Sequence, residues 1–144
     1  MKVADTKRFV LDASVTLAWC FPEESTAGTE GILDLLATGA EAIAPCIWPF
    51  EVANALVAGE RRKRITVAQT SSVLARISAL PISLDPIRTD HAFERVLPIA
   101  RHEHLTEYDA AYLELALRET LPLATLDEGL RRAAKNAGIA LLKI

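Results

Sequence analysis

The sequence has only two cysteines, no long apolar run and no basic excess, and each shortage removes a class of function. Cys20 and Cys46 sit in apolar surroundings without the close Cys/His spacing of a zinc site. Neither a disulfide framework nor a zinc centre is expected, and both read as buried thiols of a reducing compartment. No stretch reaches the roughly 18 apolar residues that a membrane span needs. The apolar run Phe9 to Leu11, behind Lys2, Asp5, Lys7 and Arg8, is too short for a secretory signal. A cytoplasmic protein with no membrane association is expected. The formal net charge of -3 argues against a general nucleic-acid coat, because nonspecific binding to polyphosphate shows as a strong basic excess. Any nucleic-acid contact has to be local. No glycine-rich loop follows any predicted strand, which disfavours a mononucleotide-binding module, and no repeat, linker or low-complexity segment interrupts the chain.

What is present is the composition of a folded domain. At 51% hydrophobic and 24% charged, the chain lies far from the signature of disorder. Its 144 residues fit the prior of one domain per roughly 150. A single domain over residues 1–144 is expected, with a core large enough to need neither disulfides nor a structural metal.

Strands and helices alternate along it. Phe9 to Leu11 reads as a strand that stops at Asp12, and Val15 to Phe21 as a short helix ended by Pro22. A helix is expected from Thr26 to Ala37, stopped by Gly39, then a strand at Ile43 to Pro45. Pro49 opens the next helix and the basic group Arg61, Arg62, Lys63 and Arg64 closes it. Thr66 and Gln69 have the spacing of a capping box for a helix to about Ala79, followed by a weak strand at Ile82 to Leu84. Thr89 or Asp90 is expected to cap a helix that Pro98 kinks. Thr106 starts another helix, whose apolar face carries Tyr108, Ala111, Tyr112, Leu115 and Ala116. Strands at Leu121 to Leu126 and Ile139 to Ile144 flank a last helix ended by Gly138, giving a terminal βαβ unit. The alternation predicts a central parallel sheet with helices on both faces, a three-layer α/β/α arrangement.

Ligands of such folds bind beyond the carboxyl ends of the strands. Asp12 and Asp127 each follow a predicted strand directly, and Glu51 and Asp109 lie in the first turns of helices that begin on the same rim. Four crowded carboxylates disfavour one another's charge, so the set makes sense mainly around a divalent cation. Oxygen-only ligands select Mg²⁺ or Mn²⁺, which keep waters and leave room for phosphate oxygens. Such a site hydrolyses phosphodiesters without a serine, cysteine or histidine nucleophile. Each acid also has a plainer reading. Asp109 completes a cap with Thr106, Glu51 is an ordinary first-turn acid, and Asp127 is the N-cap of the last helix. Asp12 alone is unusual by itself, and the argument needs all four.

In order and spacing, Asp12 in VLDASV, Glu51 in WPFEVANAL, Asp109 in LTEYDAAYLELA and Asp127 in LPLATLDEGLRRAAKNAGI resemble the PIN-domain toxins of the VapC type. The resemblance spans nearly the whole chain. It implies a PIN-like fold, an endoribonuclease whose matching acids bind Mg²⁺ or Mn²⁺, a homodimer, and a small antitoxin partner. By the same resemblance Ser14 and Thr125 support the acidic site. Asn54 lies beside Glu51, three residues on and on the same side of the helix.

The cluster Arg61 to Arg64 has two readings, as a contact for RNA phosphates or, more simply, as solvated cations that offset a helix dipole. His91, His102 and His104 read as surface histidines, and Trp19 and Trp48 as core or interface residues. Two rival functions remain open. One is an inactive PIN-like binding protein. The other is a Mg²⁺-dependent phosphotransferase with Asp12 as nucleophile, for which a second adjacent acid and a late lysine are missing.

Overall fold

The computed structural model describes residues 6–144; the leader reading on Lys2 and Asp5 lies outside them. Four parallel strands form the central sheet in the order β3-β2-β1-β4: β1 (Arg8–Leu11), β2 (Glu41–Pro45), β3 (Ile82–Asp85) and β4 (Leu123–Ala124). Helices flank it: α1 (Ala13–Cys20), α2 (Ala27–Ala37), α3 (Trp48–Arg61), α4 (Val67–Ser78), α5 (Leu97–Glu103), α6 (Glu107–Glu119) and α7 (Glu128–Asn136). β1 is apolar throughout Phe9, Val10 and Leu11 and all three are fully buried, as a parallel strand covered on both faces requires. α6 packs against β1, β2 and β4.

The chain winds from β1 outward through β2 to β3, then returns to place β4 on the other side of β1. That reversal puts a crevice between the carboxyl ends of β1 and β4, where Asp12 and Thr125 leave the sheet. Asp12 N–H still bonds the Ala124 carbonyl at 3.0 Å, so the two strand ends are held in register up to the point of divergence.

Local chemistry explains most boundaries. Thr26 and Thr66 each accept from the N–H three residues on, and Thr29 and Gln69 reciprocate, two capping boxes that start α2 and α4. Gly39, at φ +110°, takes the turn after α2 that a side chain would resist. Pro49 sits in the first turn of α3. At its other end Arg61 and Arg62 finish the helix, while Arg64 pairs with Glu23 at 2.6 Å and lies 4.2 Å over the Phe21 ring.

Four expectations are corrected. The C-terminal strand Ile139 to Ile144 shrinks to a single parallel bridge, Leu123 to Leu141, and the strand Leu121 to Leu126 to the two residues of β4. Both flank a helix as foreseen, but the chain turns away before a ladder can extend. Neither Thr89 nor Asp90 caps its helix from outside, because both lie within it; the Asp90 carboxylate pairs with Arg88 Nε at 3.1 Å. At Pro98 the chain answers the missing N–H and the ring's clash with the preceding turn by widening that turn. His91–Val96 is π-helical, Leu97 N–H reaching back to Ala92 O. Finally, Cys20 is buried, its thiol donating to Thr16 O and pushed up to about 11 by burial, but Cys46 is only half-buried.

Candidate active site

Asp12 occupies the N-cap position of α1 in an extended conformation, yet its carboxylate does not cap the helix. It is 5% exposed, and Oδ2 accepts from Ser14 Oγ at 2.6 Å and from Thr125 Oγ1 at 2.7 Å. The direction of both bonds is fixed from behind. Ser14 Oγ accepts from Leu126 N–H at 2.9 Å and Thr125 Oγ1 from Asp127 N–H at 3.0 Å, and since an ionised carboxylate can only accept, each hydroxyl gives its one proton to Asp12. The loop from β4 to α7 therefore orients the Asp12 carboxylate through two hydroxyls. Arg131 braces the same loop by donating to Thr125 O at 2.9 Å.

The other acids stand on helix first turns. Glu51, half-buried on α3, accepts from Tyr112 Oη at 2.5 Å. Asp109, half-buried on α6, follows the cap Thr106, which accepts from Asp109 N–H at 3.1 Å. Asp127 caps α7, Oδ1 accepting from Leu130 N–H at 2.8 Å, and is exposed. Two of the plainer readings are thus physically present: Asp127 is a cap, and Asp109 sits in a capped first turn. Capping uses one oxygen of Asp127 and leaves its charge facing the crevice.

The four carboxylates act on one another. Burial pushes the Asp12 carboxyl above its ordinary range, the two hydroxyls pull it back, and Asp127 pushes it further up. Glu51 is raised by burial, lowered by the Tyr112 bond, and raised by the charges of Asp12 and Asp109. Asp109 is raised by burial, then by Asp127 and Asp12, against a lowering from Thr106. No lysine or arginine among the described residues contributes to any of these shifts.

Asn54 is exposed on α3 one turn after Glu51 and makes no hydrogen bond among the described residues. Tyr112 is the residue sequence reasoning placed only on an apolar face. The signal was its position one turn after Asp109, on the same side of α6. Burial, then the bond to Glu51, holds its phenol far above the usual range, so it is a permanent donor.

The model of the PIN domain family matches residues 9–136. The chain belongs to the PIN domain family. PIN domains are in general nucleases that use divalent metals. Among solved structures, this PIN domain is similar to PAE2754 from Pyrobaculum aerophilum, at a TM-score of 0.68 and 21% identity over 92% of this chain and 87% of that one. It is also similar to VapBC2 from Rickettsia felis, bound to a DNA fragment from their promoter. There the TM-score is 0.65 and the identity 14%, over 93% of this chain and 96% of that one. At these identities the likeness establishes the fold. Comparison with curated protein sequences gives no significant match.

The donor set of this PIN domain fits a hard divalent cation in chemistry: every donor is a carboxylate oxygen, and the set carries like charges that no side-chain cation among the described residues offsets. It is not drawn into a ready cage. Among the described residues, no three Asp, Glu, His or Cys side chains stand close enough to hold an ion together. Repulsion between carboxylates gives a physical reason for that spacing.

Proposed function

We propose that this PIN domain is a Mg²⁺- or Mn²⁺-dependent endoribonuclease, the VapC-type toxin of a type II toxin-antitoxin pair. The observation that carries the reading is the mutual charge of Asp12, Glu51, Asp109 and Asp127 at the β1/β4 crevice, which no lysine or arginine among the described residues offsets. Asp12 is the central ligand. Its orientation is set by Ser14 and Thr125, and the other acids would close on it when a metal binds. Glu51, Asp109 and the free oxygen of Asp127 complete the ligand set. A bound Mg²⁺ or Mn²⁺ supplies charge neutralisation at a phosphodiester and a water of lowered pKa. The one serine described at the crevice, Ser14, is committed to Asp12 and Leu126 N–H, and the acids need no protein nucleophile.

The antitoxin reading rests on the sequence resemblance and on likeness to a chain whose complex is VapBC2. A cavity of about 520 Å³ between α1 and α4 joins apolar Trp19, Ile65 and Val73 to the charged Glu23, Arg64 and Arg76, and this mixed lining suits an amphipathic segment of such a partner. A homodimer completes the proposal. Exposed Phe50 and Phe93 are large apolar side chains that association would cover. No helix among the described residues is long and apolar enough to cross a membrane, and a cytoplasmic location is part of the proposal.

The test is incubation of the purified protein, freed of any partner, with mixed structured RNAs in Mg²⁺ or Mn²⁺ against EDTA. Cleavage that needs the metal is expected. Cutting that persists unchanged in EDTA would refute the mechanism.

A further inference from the structure

Tyr112 is fully buried in the main apolar core, so its hydroxyl has little freedom to move. A buried phenol needs a partner for its O–H, and here the partner is Glu51 Oε1 at 2.5 Å, reached across 61 positions of sequence. Glu51 Oε2 makes no hydrogen bond among the described residues. The bond therefore takes one carboxylate oxygen and leaves the other available to a ligand.

The need for such a strut follows from the charges around it. Asp12 and Asp109 both repel the Glu51 carboxylate, and Glu51 is half-exposed on a flexible stem, free by itself to swing toward solvent. Asp109 and Tyr112 stand one turn apart on α6. The helix that contributes one acid thus also anchors another, and the two are set by the same rigid body.

We infer that Tyr112 is the positioning residue for Glu51, holding its free oxygen toward the crevice against the repulsion of Asp12 and Asp109. The inference rests on the metal-nuclease reading. Outer partners of metal-ligating side chains fix ligand orientation, and their loss costs about 10- to 100-fold in metal affinity or activity.

The deciding experiment is calorimetric titration of Mn²⁺ into the full chain and into Tyr112→Phe, which keeps the ring and deletes only the hydroxyl. Expected is about 10- to 100-fold weaker binding by the variant. Its activity should recover to near wild type at saturating metal. In a Glu51→Ala background, where no carboxylate remains to be positioned, adding Tyr112→Phe should change metal affinity no further. Equal affinity of wild type and Tyr112→Phe, or an undiminished effect of Tyr112→Phe in the Glu51→Ala background, overturns the inference alone. A wild-type chain that binds no Mn²⁺ overturns the metal reading beneath it, and that outcome is distinct from the other two.

Discussion

Thr125 and Asp12 stand 113 positions apart, and the hydroxyl of the first donates to the carboxylate of the second at 2.7 Å. The contact exists because β4 lies beside β1 at the point where the winding of the sheet reverses. It makes one buried hydroxyl serve two clients, the Asp12 carboxylate and the Asp127 backbone N–H.

Thr125→Val tests that double role with almost no change in volume. The variant leaves Asp127 N–H without its acceptor and Asp12 short of one donor. Each buried group stranded in this way costs roughly 1–3 kcal/mol, so denaturant unfolding should register a loss of that order. Metal-dependent activity should fall about 10- to 100-fold. A variant as stable and as active as wild type would remove Thr125 from the site.

Asp12→Asn separates a metal site from a structural acid. The amide keeps the shape and an acceptor for Ser14 and Thr125 but removes one of the repelling charges, so stability in EDTA should hold or rise. Activity should be lost. A metal that binds only the folded chain stabilises by about 2.7 kcal/mol at a hundredfold excess over Kd, and the variant should lose most of that gain. Melting curves in EDTA and in millimolar Mg²⁺ decide it. A variant much less stable than wild type in EDTA, with an unchanged metal response, contradicts the assignment.

The same cluster sets a pH dependence. Asp12, Glu51 and Asp109 all have folded pKa values above their ordinary 3.8, 4.5 and 3.8. Between the ordinary and the raised value the folded state binds more protons than the unfolded one, so stability from these groups falls as pH rises through that window. In EDTA, wild type should therefore gain stability relative to Asp12→Asn as pH is lowered toward the carboxylate range. Saturating Mg²⁺ should reverse the difference in slope, because a bound cation holds Asp12 charged in the folded state and wild type then loses stability relative to the variant as pH falls. Parallel pH profiles for the two proteins in EDTA would show that Asp12 is not a crowded charge.

Away from the crevice, Arg118 ties Asp85 at the end of β3 (2.6 Å) to Glu114 one turn back on α6 (2.9 Å). Glu114 is buried and Asp85 nearly so. Removing the cation strands both, so Arg118→Ala should cost about 3–5 kcal/mol, the magnitude of breaking a buried pair. Arg88→Ala deletes an exposed pair with Asp90 and should cost no more than about 1 kcal/mol. Urea unfolding of the two variants side by side checks the contrast, and equal costs would mean that burial is not what gives the Arg118 network its weight.

The sequence by itself determined the elements and the order of the layers. Apolar runs at Phe9 to Leu11 and Ile43 to Pro45, the caps at Thr26, Thr66 and Thr106, and the stop at Gly39 act over a few residues, so their physics can be read along the chain. It also determined which residues carry charge on the rim, and the order of the four acids brought the family resemblance. Only the tertiary structure decided how they meet. The strand order β3-β2-β1-β4 is a long-range choice, and with it came the Thr125 to Asp12 bond and the reduction of the last strand to one bridge. Tyr112 shows the limit most directly. Along the sequence it is one more apolar position on a helix face. Its partner Glu51 lies on another helix, and no local pattern can say which way a buried hydroxyl points until the fold has brought α3 and α6 within reach of one bond.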